Sequence, residues 1–331
     1  MTAAELDLAG LRNLLDRERP GLVNGPLTAE LITGGKSNLT YAVTDGAASW
    51  ILRRPPLGHV LATAHDMGRE YRVMAALADT AVPVPRMLLP HEDPPFYLME
   101  YVEGTVFRTP EQTAGLGRER ARTISHHLVD VLVTLHAVDP ATVGLADFGR
   151  PDGYLERQLR RWSQQLEASK SRDLPDLDTL VERLHSTVPR TSRHSIVHGD
   201  YRLDNTIVRE DRIAAVVDWE MATLGDPLAD IGLLTVYWDL SMANPHNPVG
   251  GGVTREAGFP TSDELVAYYA EQSGVEPERL PWYRAFGHFK LAVIAEGIHY
   301  RDLRGLTVGP GFDRIGELVV PLARSGLELL S

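Results

Sequence analysis

The chain has 331 residues, with 33 lysine and arginine residues against 45 aspartate and glutamate residues and a net charge of −12. This acidic balance argues against a nucleic-acid partner, because a protein that binds nucleic acid needs a basic surface. The chain has no cysteine, no leader pattern and no apolar run near the ~18 residues that span a bilayer, which excludes disulfides and predicts a cytoplasmic protein without a membrane contact.

The first hundred residues predict a lobe that is rich in strands and carries two helices. Apolar periodicity predicts these helices near residues 4–17 and 67–77. Alternating apolar residues predict one strand on each side of a short loop at 34–37, and a third strand at 49–53. This part of the chain therefore predicts a hairpin followed by a further strand.

The rest of the chain is predicted to be mainly helical. The helical patterns cover residues 118–136, 153–169, 226–238, 262–272, 283–300 and 311–329. Strands followed by helices are typical of an α+β arrangement. Because a single core seldom grows beyond ~250–300 residues, we expect two lobes, one at 1–102 and one at 103–331.

One long segment, at 241–260, is too rich in proline, glycine and asparagine to predict a helix or a strand. Loops of this length often have a function, and this one could be a lid over a binding site. A disordered surface insertion is an equally good interpretation.

The loop at 34–37 is rich in small residues. It consists of Gly34, Gly35, Lys36 and Ser37. Glycine lets backbone N–H groups approach a phosphate closely. A Walker A loop needs a glycine five residues before Gly35 and a helix afterwards, but position 30 is Glu30 and a strand pattern follows. The sequence thus predicts a phosphate-covering hairpin loop.

The most informative stretch runs from His198 to Asn205, and Asp218 follows it at the end of an apolar strand pattern. Four residues separate Asp200 from Asn205, so the chain can turn back and both side chains can face one point. A strand hairpin predicted around residues 209–211 carries Asp218 toward the same place. We therefore expect three oxygen donors to converge.

These residue types suit phosphoryl transfer, which leaves little covalent work to the protein and depends on positioning and charge. Asp200 can take the proton of an acceptor hydroxyl. The oxygens of Asn205 and Asp218 suit Mg²⁺, a hard cation that shares its remaining ligand positions with phosphates. The stretch thus predicts a magnesium site beside a nucleotide.

The same stretch resembles the His-Gly-Asp-x-x-x-x-Asn loop of the aminoglycoside phosphotransferase family, small-molecule kinases of the protein-kinase-like fold. Four residues match this pattern and its metal aspartate: His198, Asp200, Asn205 and Asp218. Asp230 matches the aspartate that braces the loop in that family. Segments between residues 52 and 101 resemble the branch that is fused to acyl-CoA dehydrogenases in some larger proteins. The matches keep their order from about residue 30 to 235, which makes them specific.

The resemblance implies an ATP-dependent kinase in which Asn205 and Asp218 hold Mg²⁺, with GTP as the alternative nucleotide. Asp200 is then the residue that orients and deprotonates the acceptor hydroxyl. The segment between the lobes is expected to meet the adenine edge. In this chain that segment consists of Met99, Glu100, Tyr101 and Val102.

Arg53 stands in a predicted strand where the family usually carries a phosphate-binding lysine. Arginine keeps the positive charge and offers a fork of donors that suits phosphate. Glu70 lies on the helix predicted at 67–77. We predict an ion pair between Arg53 and Glu70 that orients the guanidinium toward the nucleotide.

His198 and Asp230 are predicted to support the loop, His198 through a backbone hydrogen bond and Asp230 by bracing, since an unpaired carboxylate inside a helix is costly. Five residues are candidates for contacts with the acceptor: Tyr201, Arg202, Glu220, His288 and Glu296. Members of the family phosphorylate aminoglycosides, macrolides, choline and homoserine. The dehydrogenase-linked branch favours a small metabolic hydroxyl, such as a hydroxyacyl-CoA, over an antibiotic.

Two other functions stay open. A metal-dependent phosphoesterase is compatible with four residues of types that bind Zn²⁺ or Mn²⁺: His194, His198, Asp200 and Asp218. Such a hydrolase has no need of the glycine loop or of Arg53. The second open function is a catalytically silent nucleotide-binding module, which stays possible because Arg53 replaces the usual lysine. The sequence does not indicate an oligomeric state.

Overall fold

The computed structural model describes residues 6–32, 38–56, 66–191, 193–247, 249, 251–306 and 314–331. The chain divides into two compact units. Unit 1 comprises Met1–Gly104 and Ala214–Met221, and unit 2 comprises Thr105–Ile213 and Ala222–Ser331. The lobes predicted at 1–102 and 103–331 differ from these units mainly because the short segment after residue 213 belongs with unit 1. Their nucleotide-binding and acceptor-binding assignments stay predictions.

Unit 1 contains a five-stranded antiparallel sheet with the strand order β1-β2-β3-β5-β4. Its strands are β1 (Thr28–Leu31), β2 (Leu39–Thr44), β3 (Ser49–Arg54), β4 (Met87–Glu92) and β5 (Pro95–Glu100). Leu31 pairs with Tyr41 across β1 and β2, so the predicted strands on both sides of the glycine loop are confirmed. Tyr41, Leu52 and Leu98 are paired in register across three strands, and all three are buried in the core.

Two helices belong to the same unit: α1 (Leu8–Glu18) and α2 (Met67–Leu77). An aspartate caps each of them, because Asp7 accepts from the backbone N–H of Gly10 and Asp66 accepts from that of Arg69. Buried residues recur along α2 every one to three positions, and Glu70 lies on this buried face. A carboxylate on a buried face requires a charged or hydrogen-bonding partner.

Unit 2 is mainly helical. Its helices are α3 (Pro110–Thr113), α4 (Gly117–Ala137), α5 (Tyr154–Ser169), α6 (Pro175–Ser186), α7 (Leu228–Ala243), α8 (Ser262–Ser273), α9 (Leu280–Asp302) and α10 (Val319–Glu328). α6 has no counterpart among the predicted helices, because its buried stripe consists of only three leucines. The helix predicted at 311–329 is shorter, since a 3-10 turn at Ile315–Leu318 precedes α10. No helix in the described ranges has the length and apolar character needed to cross a membrane.

Four short strands flank the loop that contains Asp200. They are β6 (Ser195–Val197), β7 (Thr206–Arg209), β8 (Arg212–Val216) and β9 (Thr223–Gly225). β6 pairs with β9, and β7 pairs with β8. Glu210 and Asp211 have positive φ angles, as a tight two-residue hairpin turn requires, so the predicted hairpin is confirmed. The chain passes from unit 2 into unit 1 within β8, just before Asp218.

The segment at 241–260 is largely irregular, as predicted, but its described residues are packed. Ser241 donates to the carbonyl of Val253 at 2.8 Å, and the indole of Trp238 donates to the carbonyl of Pro260 at 2.8 Å. Phe259 is buried, and its ring meets that of Trp238 edge-on. The packing of these described residues favours an ordered segment over a disordered insertion, and the lid stays a prediction.

Candidate active site

The predicted acceptor-positioning residue, Asp200, lies in the loop between β6 and β7. Its Oδ1 accepts a hydrogen bond from the hydroxyl of Tyr237 at 2.8 Å, and its Oδ2 accepts one from Nδ2 of Asn205 at 3.0 Å. A 3-10 turn at Leu203–Asn205 reverses the chain, so two residues five positions apart face each other. The structure thus brings Asp200 and Asn205 together, as their spacing predicts.

The amide of Asn205 has a defined orientation in this loop. Its Nδ2 also donates to the backbone carbonyl of Asp200 at 2.8 Å, so this nitrogen holds two hydrogen bonds. With Nδ2 committed, Oδ1 is the atom that can ligate a cation. Mg²⁺ prefers oxygen ligands, and the donor chemistry of Asn205 therefore fits the predicted metal.

Positive groups lie around Asp200. The Nε atom of Arg202 is 3.7 Å from its Oδ2, and Lys290 reaches the same loop from α9. Burial alone would raise the pKa of Asp200, but Arg202, Lys290 and the Tyr237 hydroxyl outweigh burial and hold this pKa below its ordinary value. Asp200 is therefore a carboxylate at neutral pH.

Lys290 has no counterpart among the predicted site residues. It is 7% exposed, its Nζ donates to the carbonyl of Gly199 at 2.5 Å, and it lies 5.3 Å from the centroid of the Trp162 ring. Burial lowers the pKa of Lys290, and the charge of Asp200 opposes this effect. A lone lysine inside an apolar helical pattern is the sequence feature that could have revealed it.

A buried carboxylate holds the backbone before Asp200. Asp230, in the first turn of α7, accepts from the backbone N–H of His198 at 2.7 Å and from that of Gly199 at 2.8 Å. The Nε2 atom of His136 lies 3.3 Å from the same carboxylate. The ring of His198 accepts through Nδ1 from the backbone N–H of Asp200 at 3.2 Å. These are the contacts that the predicted supporting roles of His198 and Asp230 require.

In unit 1 the guanidinium of Arg53 contacts two carboxylates. Nη1 lies 2.9 Å from Oε1 of Glu70, and Nη2 lies 2.5 Å from Oδ1 of Asp218. Arg53 is 8% exposed and Glu70 is 1% exposed, so their contact is shielded from solvent. Burial works to lower the pKa of Arg53, but the surrounding charges, Glu70 first, raise it overall. The predicted ion pair between Arg53 and Glu70 is present, and Asp218 forms a second ion pair with the same guanidinium.

Asp218 has a backbone conformation that few side chains adopt, with a φ of 68°. Aspartate is among the residues that tolerate this left-handed region. The next residue is held at two points, since the backbone N–H of Trp219 donates to Oε1 of Glu70 at 3.2 Å and its indole donates to the carbonyl of Val216 at 3.0 Å. Glu70 therefore fixes both Arg53 and the turn that carries Asp218.

The predicted oxygen donors are divided between the units. Asp200 and Asn205 lie in unit 2, whereas Asp218 lies in unit 1 together with Arg53 and Glu70. Each group has the internal contacts described above. The convergence of all three oxygen donors on one cation stays a prediction.

The other predicted nucleotide contacts belong to unit 1. Four of them lie outside the residues that the structure describes: Gly34, Gly35, Lys36 and Ser37. Met99 and Glu100 end β5, and Tyr101, which is 46% exposed, and Val102 follow it. The carboxylate of Glu100 accepts from the backbone N–H of Arg86 at 2.9 Å. A contact between these residues and adenine stays a prediction.

The structure corrects two of the five predicted acceptor contacts. Tyr201 is buried, and its hydroxyl donates to the carbonyl of Leu128 at 2.8 Å. Glu296 is buried as well, and its carboxylate accepts from Ser171 and from the guanidinium of Arg172. Because buried polar groups are satisfied by such partners, both side chains serve packing within unit 2 rather than an acceptor.

Arg202, Glu220 and His288 stay candidates for acceptor contacts. Arg202 donates to the carbonyl of Val249 at 2.6 Å, and its guanidinium lies 4.6 Å from the centroid of the Tyr237 ring. Glu220 is partly buried in unit 1. Burial, followed by the charge of a nearby arginine, lowers the pKa of His288 to about 4, so its imidazole is neutral at physiological pH.

Within the described part of the chain, no three histidine, aspartate or glutamate side chains are grouped so that they could hold a metal ion. A zinc hydrolase relies on such a group of protein ligands. Mg²⁺ in nucleotide sites needs only one or two protein ligands besides phosphate oxygens and water. The magnesium site, which needs fewer protein ligands, stays a prediction.

Comparison of the chain with known protein families shows the family to which it belongs. The model of the phosphotransferase enzyme family matches residues 28–280, which is more than half of the chain. The chain belongs to the phosphotransferase enzyme family. The predicted family resemblance is therefore confirmed.

Several relatives of this chain carry the names of acyl-CoA dehydrogenases. The chain is 33% identical over 338 residues to acyl-CoA dehydrogenase family member 11 of Rattus norvegicus, and the match covers 98% of this chain and 43% of that protein. It is 34% identical over 309 residues to family member 10 of Mus musculus, with 90% of this chain and 29% of that protein covered. The chain thus spans less than half the length of these relatives.

Solved structures with the same fold include kinases of small molecules. A crystal structure from Ralstonia eutropha JMP134, provisionally described as an aminoglycoside phosphotransferase, is 31% identical with a TM-score of 0.84, and 98% of each chain is covered. Choline kinase from Cryptosporidium parvum Iowa II has a TM-score of 0.65 at 15% identity, with 98% of this chain and 95% of that chain covered. The predicted α+β, protein-kinase-like fold is therefore confirmed.

Proposed function

We propose that this phosphotransferase moves the γ-phosphate of ATP to a hydroxyl of a small metabolic molecule, with a hydroxyacyl-CoA favoured over an aminoglycoside or a macrolide. The observation that carries the proposal is the state of Asp200, an ionised carboxylate whose two oxygens are fixed by Tyr237 and Asn205. A carboxylate in this state can orient an acceptor hydroxyl and receive its proton. Family membership supports a phosphoryl-transfer reaction.

The proposed roles follow from the chemistry of phosphoryl transfer. Asp200 aligns the acceptor oxygen with the γ-phosphorus and receives the hydroxyl proton as the new oxygen–phosphorus bond forms. The bond between the γ-phosphorus and the bridging oxygen breaks in the same step, and ADP leaves. Because the pKa of Asp200 is held low, it is a weak base, and the proton moves late, after the acceptor oxygen has become acidic through bonding to phosphorus. Arg53, oriented by Glu70, pairs with the nucleotide phosphates.

Magnesium fits the proposed donors by their chemistry. Asn205 offers Oδ1, because its Nδ2 is committed to Asp200, and Asp218 offers a charged oxygen on a side chain that is partly exposed. When bound, Mg²⁺ would neutralise phosphate charge during transfer. Because the chain has a net charge of −12, binding of an anionic nucleotide should depend on such neutralisation.

The cationic side chains near Asp200 and the names of the relatives both support a hydroxyacyl-CoA as the acceptor. Three cationic side chains of unit 2 act on the pKa values of this site. Arg202 and Lys290 lower the pKa of Asp200, and Arg161 and Arg202 lower the pKa of Lys290. Cations beside the predicted base favour an acceptor that carries anionic groups, such as the phosphates of a CoA thioester, over a polycationic antibiotic. The names of the matched relatives, acyl-CoA dehydrogenase family members 10 and 11, point to the same class of molecule.

A screen of ATP consumption tests the proposal. The purified chain is incubated with ATP and Mg²⁺ against hydroxyacyl-CoAs that differ in the position of the hydroxyl, aminoglycosides, macrolides and amino alcohols, and phosphorylated products are identified by mass spectrometry. We expect a phosphorylated hydroxyacyl-CoA that the Asp200→Asn variant does not produce. Phosphorylation of an antibiotic alone contradicts the proposed acceptor, and phosphate release from phosphate esters without any nucleotide would indicate a phosphoesterase instead.

A catalytically silent nucleotide-binding module is the second candidate. The observation that favours it is the double contact of Arg53, because a guanidinium held by Glu70 and Asp218 has fewer donors left for phosphate. Thermal stabilisation by ATP with no turnover on any acceptor of the screen would support this candidate.

A further inference from the structure

Two contacts reach the Asp200 loop from helices that follow it in the sequence. The hydroxyl of Tyr237, on α7, donates to Oδ1 of Asp200 at 2.8 Å. The ammonium group of Lys290, on α9, donates to the carbonyl of Gly199 at 2.5 Å. One contact holds the side chain of the predicted base, and the other holds the backbone immediately before it.

We propose that Tyr237 and Lys290 are positioning residues that fix the direction of the Asp200 carboxylate toward the acceptor hydroxyl. This inference rests on the proposed function, in which Asp200 meets that hydroxyl. Neither Tyr237 nor Lys290 lies in the stretch from His198 to Asn205, and both act through Asp200 rather than on the acceptor itself.

The geometry of the carboxylate favours this role for Tyr237. Asp200 receives Tyr237 on one oxygen and Asn205 on the other, so rotation of the carboxylate about its terminal bond breaks at least one hydrogen bond. Each carboxylate oxygen has two lone pairs, and an acceptor hydroxyl can therefore bind without displacing either donor. The two donors fix the carboxylate and leave it able to accept a proton.

Tyr237 is itself rigidly held. It is 7% exposed, and it lies in α7, a helix whose residues are mostly buried. The guanidinium of Arg202 lies over the Tyr237 ring, at 4.6 Å from the centroid. Removal of the hydroxyl alone leaves this ring contact in place, so the hydrogen bond to Asp200 can be tested separately from packing.

Lys290 is placed where a charged group is costly. The chain has three lysines among its 33 basic residues, and this one is buried. Burying an ammonium group is unfavourable unless nearby groups compensate for its lost hydration. The Gly199 carbonyl, the Asp200 charge and the face of Trp162 provide that compensation. Gly199 and Asp200 both lie in the loop, which ties the burial of Lys290 to the position of that loop.

The two helices give the loop a support that its own backbone lacks. Residues 199–202 have no regular helix or strand hydrogen bonding. Productive transfer needs reacting atoms to be held within a fraction of an ångström, and small displacements can lower turnover about 100-fold. Tyr237 and Lys290 connect the loop to α7 and α9, and hence to the packed interior of unit 2.

Tyr237→Phe is the main test, because it removes only the hydroxyl. We expect kcat for the most active hydroxyacyl-CoA of the screen to fall by about 10-fold or more, with the KM for ATP within about 2-fold of the wild-type value. The matched control is Tyr268→Phe, which removes a tyrosine–aspartate hydrogen bond of 2.9 Å to Asp130 of α4. The control should keep the wild-type kcat, and both variants should have similar thermal unfolding midpoints.

A double-mutant cycle separates positioning from a purely structural effect. If Tyr237 acts through Asp200, adding Tyr237→Phe to Asp200→Asn should not lower the residual single-turnover rate further. Lys290→Met should give the same pattern, a lower kcat with an unchanged KM for ATP. Additive losses in the cycle, or a Tyr237→Phe enzyme as active as Tyr268→Phe, overturn the inference. A wild-type chain that phosphorylates no acceptor in the screen overturns the proposed function instead.

Discussion

Arg53 and Asp218 are joined in unit 1 by a contact of 2.5 Å between Nη2 and Oδ1. The same guanidinium contacts Glu70 through Nη1 at 2.9 Å, so two carboxylates share one cation. A lysine has a compact ammonium group and cannot present a planar fork of donors to two partners. Arginine at this position therefore links Glu70 and Asp218 in one charged cluster. Glu70 also accepts a hydrogen bond from the backbone N–H of Trp219.

Loss of the Arg53 charge should destabilise the protein. Burial raises the pKa of Glu70 to about 7 even though the charge of Arg53 opposes this shift. In Arg53→Met the buried Glu70 must either take up a proton or stay charged without a partner, and we expect the free energy of unfolding to fall by about 3–5 kcal/mol. Urea denaturation measures this change. The matched control, Arg53→Met with Glu70→Gln, removes the buried charge as well and should recover most of the loss. Equal destabilisation in both variants would show that packing, rather than charge, is what Arg53 contributes.

Asp200→Asn should lower kcat by about 100- to 10,000-fold while the dissociation constant for ATP changes little. The amide keeps the size of the carboxylate but cannot accept the hydroxyl proton. Asp204→Asn is a matched control in the same loop, since the carboxylate of Asp204 lies 3.3 Å from Arg202, and it should keep most of the activity. Steady-state kinetics and isothermal titration with ATP give the two quantities. Loss of ATP binding in Asp200→Asn would assign this residue to the nucleotide instead.

The contacts between near neighbours could be predicted from the sequence. Asp200 and Asn205 face each other because the four residues between them allow one turn, and this follows from spacing alone. The pairing of Arg53 with Glu70 follows from a strand and a helix that periodicity predicts, together with the family pattern. In both cases local structure is enough to bring the partners close.

Other contacts depend on helix packing, which the sequence does not reveal. Tyr237 is 37 residues from Asp200, and Lys290 is 91 residues from Gly199. Both lie on helices that are buried on most sides, so no polar face marks them. Tyr201 shows the opposite error, since it is adjacent to Asp200 in sequence but its side chain is buried against α4. Adjacency in the chain does not determine the direction of a side chain.

Asp230→Asn should loosen the loop that carries Asp200. The carboxylate accepts two backbone N–H groups, from His198 and Gly199, and an amide replaces one acceptor oxygen with a donor that faces them. We expect a loss of about 2–4 kcal/mol in unfolding free energy and a lower kcat. The control is Asp178→Asn, which weakens a partly exposed ion pair with Lys170 and should cost less than about 1 kcal/mol. Denaturation and kinetics on both variants make the comparison.

His288 should make the stability of the protein depend on pH. Burial lowers its pKa to about 4 in the folded state, whereas an unfolded histidine titrates near pH ~6.5. Between these values the unfolded state binds a proton that the folded state does not, so the contribution of His288 is fully present above pH ~6.5 and is lost as the pH falls toward 4. The loss approaches about 3 kcal/mol. Urea denaturation across this range should show a shallower pH dependence for His288→Gln than for the wild type. Parallel curves for the two proteins would show that the imidazole is protonated in the folded state as readily as in the unfolded state.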